Sequence, residues 1–504
     1  MIPFKPTHTT SFFVYYVILF GTIALGIFLR FYHLGQQSYW MDEGYTINAV
    51  LSITEKGRSV LDSGQPYFCP LYCYPTAWLT KILGENAATY RLMSALVGSL
   101  FIIVFWTTVK NIYGKNIALV GTIFVSLSYW QIAWSRQARW YTLLTLATWL
   151  SIYFLYQYVH HEKNNNSRIA LSLVFLVIAI IVQPIAYLLI PIYTTFLAWS
   201  KKSLREILAV LCLATIVYLV SEILSTNKDN NFVMNVLGQI KLNYTLPYYL
   251  GFYIRSYWPL IFFGLIALSK KKQNDTGSFY KLGICTFLIY LISISLFTNI
   301  IHYRYLFHLT PFLYLSASIG ALTILDQIKL TWTKYLVLTM IVTVFFATGH
   351  GILQPKSFYS LESDDPSKIK RPYYAYTPQP DFNAVYRFIG QNRQNGDIVI
   401  SSHPQFNKIF LNEPGYWIQY DYLGISDRPN TVINGKEYYV GAETIASKNA
   451  LEKIVLSGTH GFIITDFSAS SKIDESTMNY IAANLQQVFS KTENAYSKIH
   501  VYRF

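Results

Sequence analysis

Within the stretch SYWMDEGYT (38–46) two carboxylates, Asp42 and Glu43, stand side by side, soon after the apolar run SFFVYYVILFGTIALGIFL (11–29). A carboxylate placed there can act as a general base, bind a metal, or pair with an arginine such as Arg30 or Arg91. Cationic groups recur in two further stretches. WSRQARWY (134–141) carries Arg136 and Arg139, whose spacing of three puts them on one face of a helical turn. Guanidinium groups grip phosphate oxygens in forked geometry, and their alternative use is snorkelling to lipid headgroups. IIHYRYLFHLTP (300–311) sets His302, Arg304 and Tyr305 just ahead of another apolar run. A fourth stretch, PYFCPLYCYPTAW (66–78), is aromatic and proline-rich, and precedes Arg91. Tyr72 and Arg91, with Tyr141, are the candidates for a sugar or acceptor pocket. Carboxylates and arginines gathered at one face suit a reaction in which cations hold an anionic leaving group while a carboxylate removes a proton from an acceptor hydroxyl. That is the chemistry of glycosyl transfer from a polyprenyl-phosphate sugar.

The elements that must position these groups are membrane helices. The 504 residues are 53% hydrophobic and 13% charged, about half the usual charged fraction, which excludes an ordinary soluble protein. Residues 11–29 lack a small-residue cleavage site and read as a retained first span. Further spans are expected near 92–109, 116–134, 140–159, 169–182, 185–199, 207–224, 257–269, 282–298, 306–325 and 335–350, about eleven in all. Lys and Arg collect in alternate connections, among them HHEKNNNSR and KKSLR, and these belong on the cytoplasmic side with the N-terminus. Loop 30–91 and the chain after about residue 350 then fall outside, in a plasma (inner) membrane. The net charge of +14 lies wholly in the membrane half, because residues 351–504 hold 15 Lys+Arg and 15 Asp+Glu. Membrane lipids and lipid phosphates, not nucleic acid, are the partners this implies.

After residue 350 the chain turns polar. Helix-like DFNAVYRFIGQNRQ (381–394), strand-like DIVIS (397–401), YWIQY (416–420), helix-like ETIASKNALEKIVL (443–456), strand-like GFIITDF (461–467), a helix over 474–490 and strand-like KIHVYRF (498–504) predict a soluble extracytoplasmic α/β domain over 351–504, entered through a linker at 360–380. Residues 1–350 form the transmembrane domain, including outer loop 30–91. No internal repeat or Gly-rich phosphate loop is present. Four cysteines make no disulfide framework: Cys212 and Cys285 fall in spans as apolar filler, and Cys69 and Cys73 in the outer loop are either bridged or unpaired.

The order of these motifs resembles the GT-C membrane glycosyltransferases of the protein-mannosyltransferase and lipid A aminoarabinose-transferase type. The resemblance rests on W-x-DE after a first span, a Pro-rich segment ahead of ATYRLMSALVGSLFIIVFW, then SRQARWYTLLTLATWL and HYRYLFHLTPFLYL, over roughly residues 10–325. It implies an inverting transferase using a dolichyl- or undecaprenyl-phosphate-linked sugar at the outer face, with a glycan, lipid or protein acceptor. Asp42 would be the catalytic base and Glu43 would orient it or the acceptor. Arg136 and Arg139 match the family's basic turn, and Arg304 with Tyr305 its late RY element; with His302 these are the donor-phosphate candidates. The family's His-Pro-Pro segment is replaced here by CPLYCYP. Relatives differ in metal use, and Asp42, Glu43 and His302 show no metal-site spacing, so a divalent metal stays open and no cofactor is assigned. Two rival readings are an outer-leaflet oligosaccharide polymerase or ligase, which depends on a large late loop, and a transporter or flippase, which shows repeated halves and midplane charges.

Overall fold

The computed structural model of the chain describes residues 8–160, 166–200, 204–224, 245–269, 278–297, 303–347, 380–419, 432–433, 435–469, 473–492 and 497–504. It divides into two compact units. The first comprises Met1–Tyr32, Ser94–Arg136 and Trp140–Pro355, the second His33–Met93, Gln137–Arg139 and Lys356–Phe504. The loop expected at 30–91 thus groups with the C-terminal residues, a division the linear reading at residue 350 does not make.

The first unit is helical. Its elements include α1 (His8–Phe31), most of α4 (Ala87–Tyr113), α5 (Lys115–Leu127), α6 (Tyr129–Ser135) and α7 (Tyr141–His160). α8 (Asn166–Val182), α9 (Leu189–Trp199), α10 (Leu204–Leu224), α11 (Leu246–Ser269), α12 (Ser278–Phe297), α13 (Thr310–Gln327) and α14 (Thr331–Ala347) follow. Helix occurs in each of the eleven apolar runs. Among the described residues five stretches are long and apolar enough to cross a membrane: Phe13–Phe31, Ala87–Tyr113, Leu246–Ser269, Phe279–Leu296 and Tyr303–Gln327. The run 116–134 is two helices, not one. Ser128 is extended (φ −64°, ψ 125°), and its hydroxyl accepts the Gln131 amide at 3.4 Å, which caps a fresh helix there. Pro184 likewise starts a separate 3-10 turn, Pro184–Leu188, because it lacks an amide and holds Gln183 extended. Where α11 and α13 cross, the Phe263 carbonyl lies so close to Gly320 that a methyl group there has no room. Small residues bring membrane helices together in this way.

The second unit contains α2 (Met41–Lys56), α3 (Pro70–Leu83), the first turns of α4, and a mixed sheet. Its eight strands run in the order β3-β4-β5-β2-β1-β6-β8-β7, where β1 is Ile398–Ser401, β2 Tyr416–Ile418, β3 Val432–Ile433, β4 Lys436–Glu437, β5 Glu443–Ile445, β6 Gly461–Asp466, β7 Gln486–Lys491 and β8 Ile499–Arg503. β5, β2, β1 and β6 are parallel, and the edges are antiparallel. α15 (Phe382–Asn392), α16 (Pro404–Leu411), α17 (Lys448–Leu456) and α18 (Glu475–Asn484) alternate with the strands. Ile400, Ile418, Ile445, Leu451, Ile463 and Ile481 form its core. The α/β character and the three strand-like runs, which hold β1, β6 and β8, match expectation, and the run 416–420 holds β2. Two predicted helices are shorter: 443–445 pairs as β5 before Ser447 caps α17 by accepting the Ala450 amide at 3.3 Å, and 486–491 leaves the helix to pair with β8. α16 was not anticipated, and linker 360–380 falls outside the described residues apart from Pro380.

Candidate active site

The two adjacent carboxylates open the first turn of α2, where unpaired amides favour negative charge. One residue apart on a helix, they point in different directions, and their surroundings differ accordingly. The Glu43 side chain is 1% exposed. Its Oε1 accepts from Arg91 Nε at 2.8 Å and from the Ala138 amide at 2.7 Å. Its Oε2 accepts from Arg91 Nη2 at 2.8 Å and from the Trp40 amide at 2.9 Å. Arg91 gives its other hydrogens to the carbonyls of Leu34, Gln37 and Ser38 and lies over the Tyr39 ring at 5.2 Å. This buried bidentate pair ties together residues 34–40, α2, α4 and the turn at 137–139.

Asp42 has a different setting. Its side chain is 19% exposed, and Arg139 Nη2 stands 3.8 Å from Oδ2. Arg139 Nη1 donates to the Asp42 carbonyl and Thr46 hydroxyl, each at 3.0 Å, and to the Tyr67 phenol at 3.2 Å. The carboxylate that reaches solvent is therefore held beside a guanidinium, itself fixed by three acceptors and placed by the neighbouring Ala138–Glu43 bond. Gly44 allows this packing: a Cβ there would meet Gln405 Cγ of α16 at 2.6 Å, and Asn48 one turn on donates to the Gln405 carbonyl at 3.1 Å.

Several sequence-predicted site residues lie elsewhere. Arg136 and Arg139 do not share a helix face, because α6 ends at Ser135 and the two residues fall in different units. Arg136 is buried, and its Nη1 donates to the carbonyls of Leu29, Arg30 and Tyr32 at the end of α1, so it caps that helix. Arg91, expected in a sugar pocket, is 0% exposed with its guanidinium committed to Glu43 and three carbonyls. Tyr72 is buried, with its phenol on the Tyr90 carbonyl at 3.0 Å, and Tyr141 is buried against Trp134, with ring centroids 4.4 Å apart. In the helical unit, half-buried Arg304 lies over the Tyr305 ring at 5.9 Å within the 3-10 turn Tyr303–Leu309. His302 is outside the described residues.

Two features escaped the sequence reading. Arg255 lies within the membrane-length helix α11 and is exposed, its Nε donating to the Gly251 carbonyl at 3.2 Å. Its signal was a charge inside an apolar stretch, hidden by starting that span at residue 257. Tyr439 stacks on Tyr45 at a centroid distance of 3.9 Å and lies 6.4 Å from the Tyr67 ring. A tyrosine so distant in sequence gave no local signal. Cys69 and Cys73 form a disulfide at the start of α3, with Cα atoms 5.4 Å apart. Among the described residues no group of three or more His, Cys, Asp or Glu side chains could hold a metal ion. Glu43, with both oxygens already accepting two hydrogen bonds, fits a ligand role poorly.

The fold defines the class: this is a multi-pass membrane protein with a fold of the GT-C type. Within that class the chain is similar over nearly its whole length to ArnT from Cupriavidus metallidurans, whose crystal structure is bound to undecaprenyl phosphate. The two are 13% identical, with a TM-score of 0.59, 99% of this chain and 98% of that chain being covered. Archaeal oligosaccharyltransferase AglB from Archaeoglobus fulgidus, in complex with an inhibitory peptide and a dolichol-phosphate, is 10% identical with a TM-score of 0.56, over 91% of this chain and 70% of that one. The family model for dolichyl-phosphate-mannose-protein mannosyltransferase matches residues 65–225. An uncharacterized protein of Aquifex aeolicus is 26% identical over 198 residues, an alignment spanning 36% of this chain and 38% of that protein.

Proposed function

We propose that the protein is an inverting glycosyltransferase that moves a sugar from a polyprenyl-phosphate carrier to an acceptor hydroxyl at the outer face of the membrane. The observation that carries this reading is the split between the two carboxylates: Glu43 is consumed by Arg91, while Asp42 reaches solvent beside Arg139. In the proposed step Asp42 accepts the acceptor's proton as its oxygen attacks the anomeric carbon. The bond from that carbon to the phosphate oxygen breaks, and its electron pair leaves with the lipid phosphate. Arg139, on the Asp42 carbonyl and beside its carboxylate, holds Asp42 aimed. Arg304 with Tyr305, and Arg255, are the candidates for the carrier phosphate, as cations within membrane-length helical segments. Binding of undecaprenyl phosphate by ArnT and of dolichol-phosphate by AglB supports a carrier of this class. The Cys69–Cys73 disulfide supports an oxidising, outer location for α3.

The experiment is a donor panel. Membranes containing the protein are supplied with radiolabelled polyprenyl-phosphate sugars, and label entering acceptor is followed. Transfer from one donor identifies the sugar. Absence of transfer from all donors by well-folded protein moves the assignment to the ligase or transporter.

A further inference from the structure

An aromatic cluster, Tyr45, Tyr67 and Tyr439, lies beside Asp42 and Arg139. Tyr45 lies three residues beyond Asp42 on α2, hence on the same helix face. Tyr67 ends the turn Ser59–Tyr67, closed by Tyr67 N to Ser59 O at 3.1 Å and Leu61 N to Gln65 O at 2.8 Å, and its phenol accepts from Arg139. Tyr439 comes from the other end of the chain, on the loop joining β4 to β5. That loop is built to present it. The Glu437 carboxylate accepts the Val440 amide at 2.7 Å, Glu437 N reaches the Ala442 carbonyl at 2.8 Å, and Gly441 turns with φ +70°. Ser63 donates to the Tyr438 carbonyl, fastening the loop to the turn that bears Tyr67.

All three tyrosines are partly exposed, whereas Glu43, Thr46 and Arg139 around them are buried. The result is a stacked pair, Tyr45 and Tyr439 (interplanar angle 24°), with Tyr67 inclined at 66° to Tyr439, edged by a carboxylate and a guanidinium. The solvent-facing side of such an aromatic stack, with a few polar groups at its margin, complements a ring that has apolar C–H faces and hydroxyls around its rim. A pyranose has that shape. The margin supplies the partly exposed Asp42 carboxylate, suited to accepting from a ring hydroxyl, with buried Arg139 holding it in place.

We infer that Tyr45, Tyr67 and Tyr439 form a seat for a carbohydrate ring of the acceptor, and that the C-terminal sheet domain sets acceptor choice by contributing Tyr439. This rests on the transferase reading for the word acceptor, but the seat itself can be tested without turnover. Purified full-length protein in detergent is titrated with a panel of methyl glycosides, bound ligand being read by saturation-transfer NMR. At least one glycoside is expected to bind the wild-type chain. Tyr439→Leu, which keeps an apolar side chain and removes the ring, is expected to weaken it about tenfold, and Tyr439→Phe to restore most of the loss. Binding of no glycoside by the wild type, or equal binding by wild type and Tyr439→Leu, overturns the proposal. So does a Ser/Thr-containing peptide that binds in a Tyr439-dependent way while the glycosides do not. If glycosides bind through Tyr439 but no polyprenyl-phosphate donor is used, the seat stands and the transferase reading falls. If donors are used and binding ignores Tyr439, only the seat falls.

Discussion

At the scale of the residue, two carboxylates adjacent in sequence have different surroundings, Glu43 buried against Arg91 and Asp42 partly exposed beside Arg139. Removing a charge from Glu43 or Arg91 leaves the other charge buried, a loss of roughly 3–5 kcal/mol. Glu43→Ala and Arg91→Ala are therefore expected to lower the melting temperature and yield of the purified protein. A melting temperature within error of the wild type contradicts the anchor assigned to this pair. Arg139→Gln removes a group beside the Asp42 carboxylate while its amide can still meet Thr46 or Tyr67. We expect transfer to fall about a hundredfold, the size of effect of misplacing a catalytic group by about 1 Å, with the fold retained. Undiminished transfer removes Arg139 from the site. The sequence made Asp42 and Glu43 conspicuous through their position after an apolar run. It could not tell which of them Arg91 would take, because that depends on α4 returning its N-terminal turn to α2. Arg136 shows the opposite limit. An arginine after a tryptophan-rich helix reads as a phosphate ligand, but the carbonyls it satisfies belong to α1, about a hundred residues earlier.

At the scale of the element, the apolar runs were legible because a lipid core demands hydrophobicity sustained over its whole thickness, and few soluble helices carry that. Their breaks were not, since Ser128 looks like any polar residue until its hydroxyl is seen to cap α6. In the sheet domain, strands such as Gly461–Asp466 were legible as continuous apolar runs buried on both faces. The short β5 was absorbed into a helical pattern because three residues carry almost no periodicity. The β4–β5 loop has a testable pH response. Burial raises the Glu437 carboxyl from its ordinary 4.5 to about 7, against the amides of Val440, Tyr439 and Gly441, which lower it. The folded value exceeds the unfolded one, so the folded state holds the proton more tightly, and stability falls as pH rises from about 4.5 through about 7. Thermal unfolding at pH 5 and pH 8 is expected to show this loss in the wild type and a smaller one in Glu437→Gln. An equal pH dependence in the two chains rules out Glu437 as its source.

At the scale of the whole molecule, the GT-C fold extends over nearly the full chain, although the motifs legible in sequence ended near residue 325. The C-terminal sheet could be anticipated as α/β from its alternating runs, but its grouping with residues 33–93 could not. That grouping comes from packing between distant segments, such as Gln405 against Gly44 and Tyr439 against Tyr45. The proposed orientation puts this sheet outside. With Cys212 and Cys285 replaced by alanine, a cysteine at exposed Ser457 is expected to react with a membrane-impermeant maleimide in intact cells. Labelling only after the membrane is opened reverses the orientation.

The central claim, that Asp42 is the base of a lipid-linked glycosyl transfer, is tested most directly by Asp42→Asn. The variant is purified, its melting temperature compared with that of the wild type, and its transfer of label measured with the donor the wild type uses. The account predicts an unchanged melting temperature and a loss of turnover of about a hundredfold to ten-thousandfold, the contribution of a general base. A folded Asp42→Asn chain that transfers sugar at the wild-type rate contradicts it.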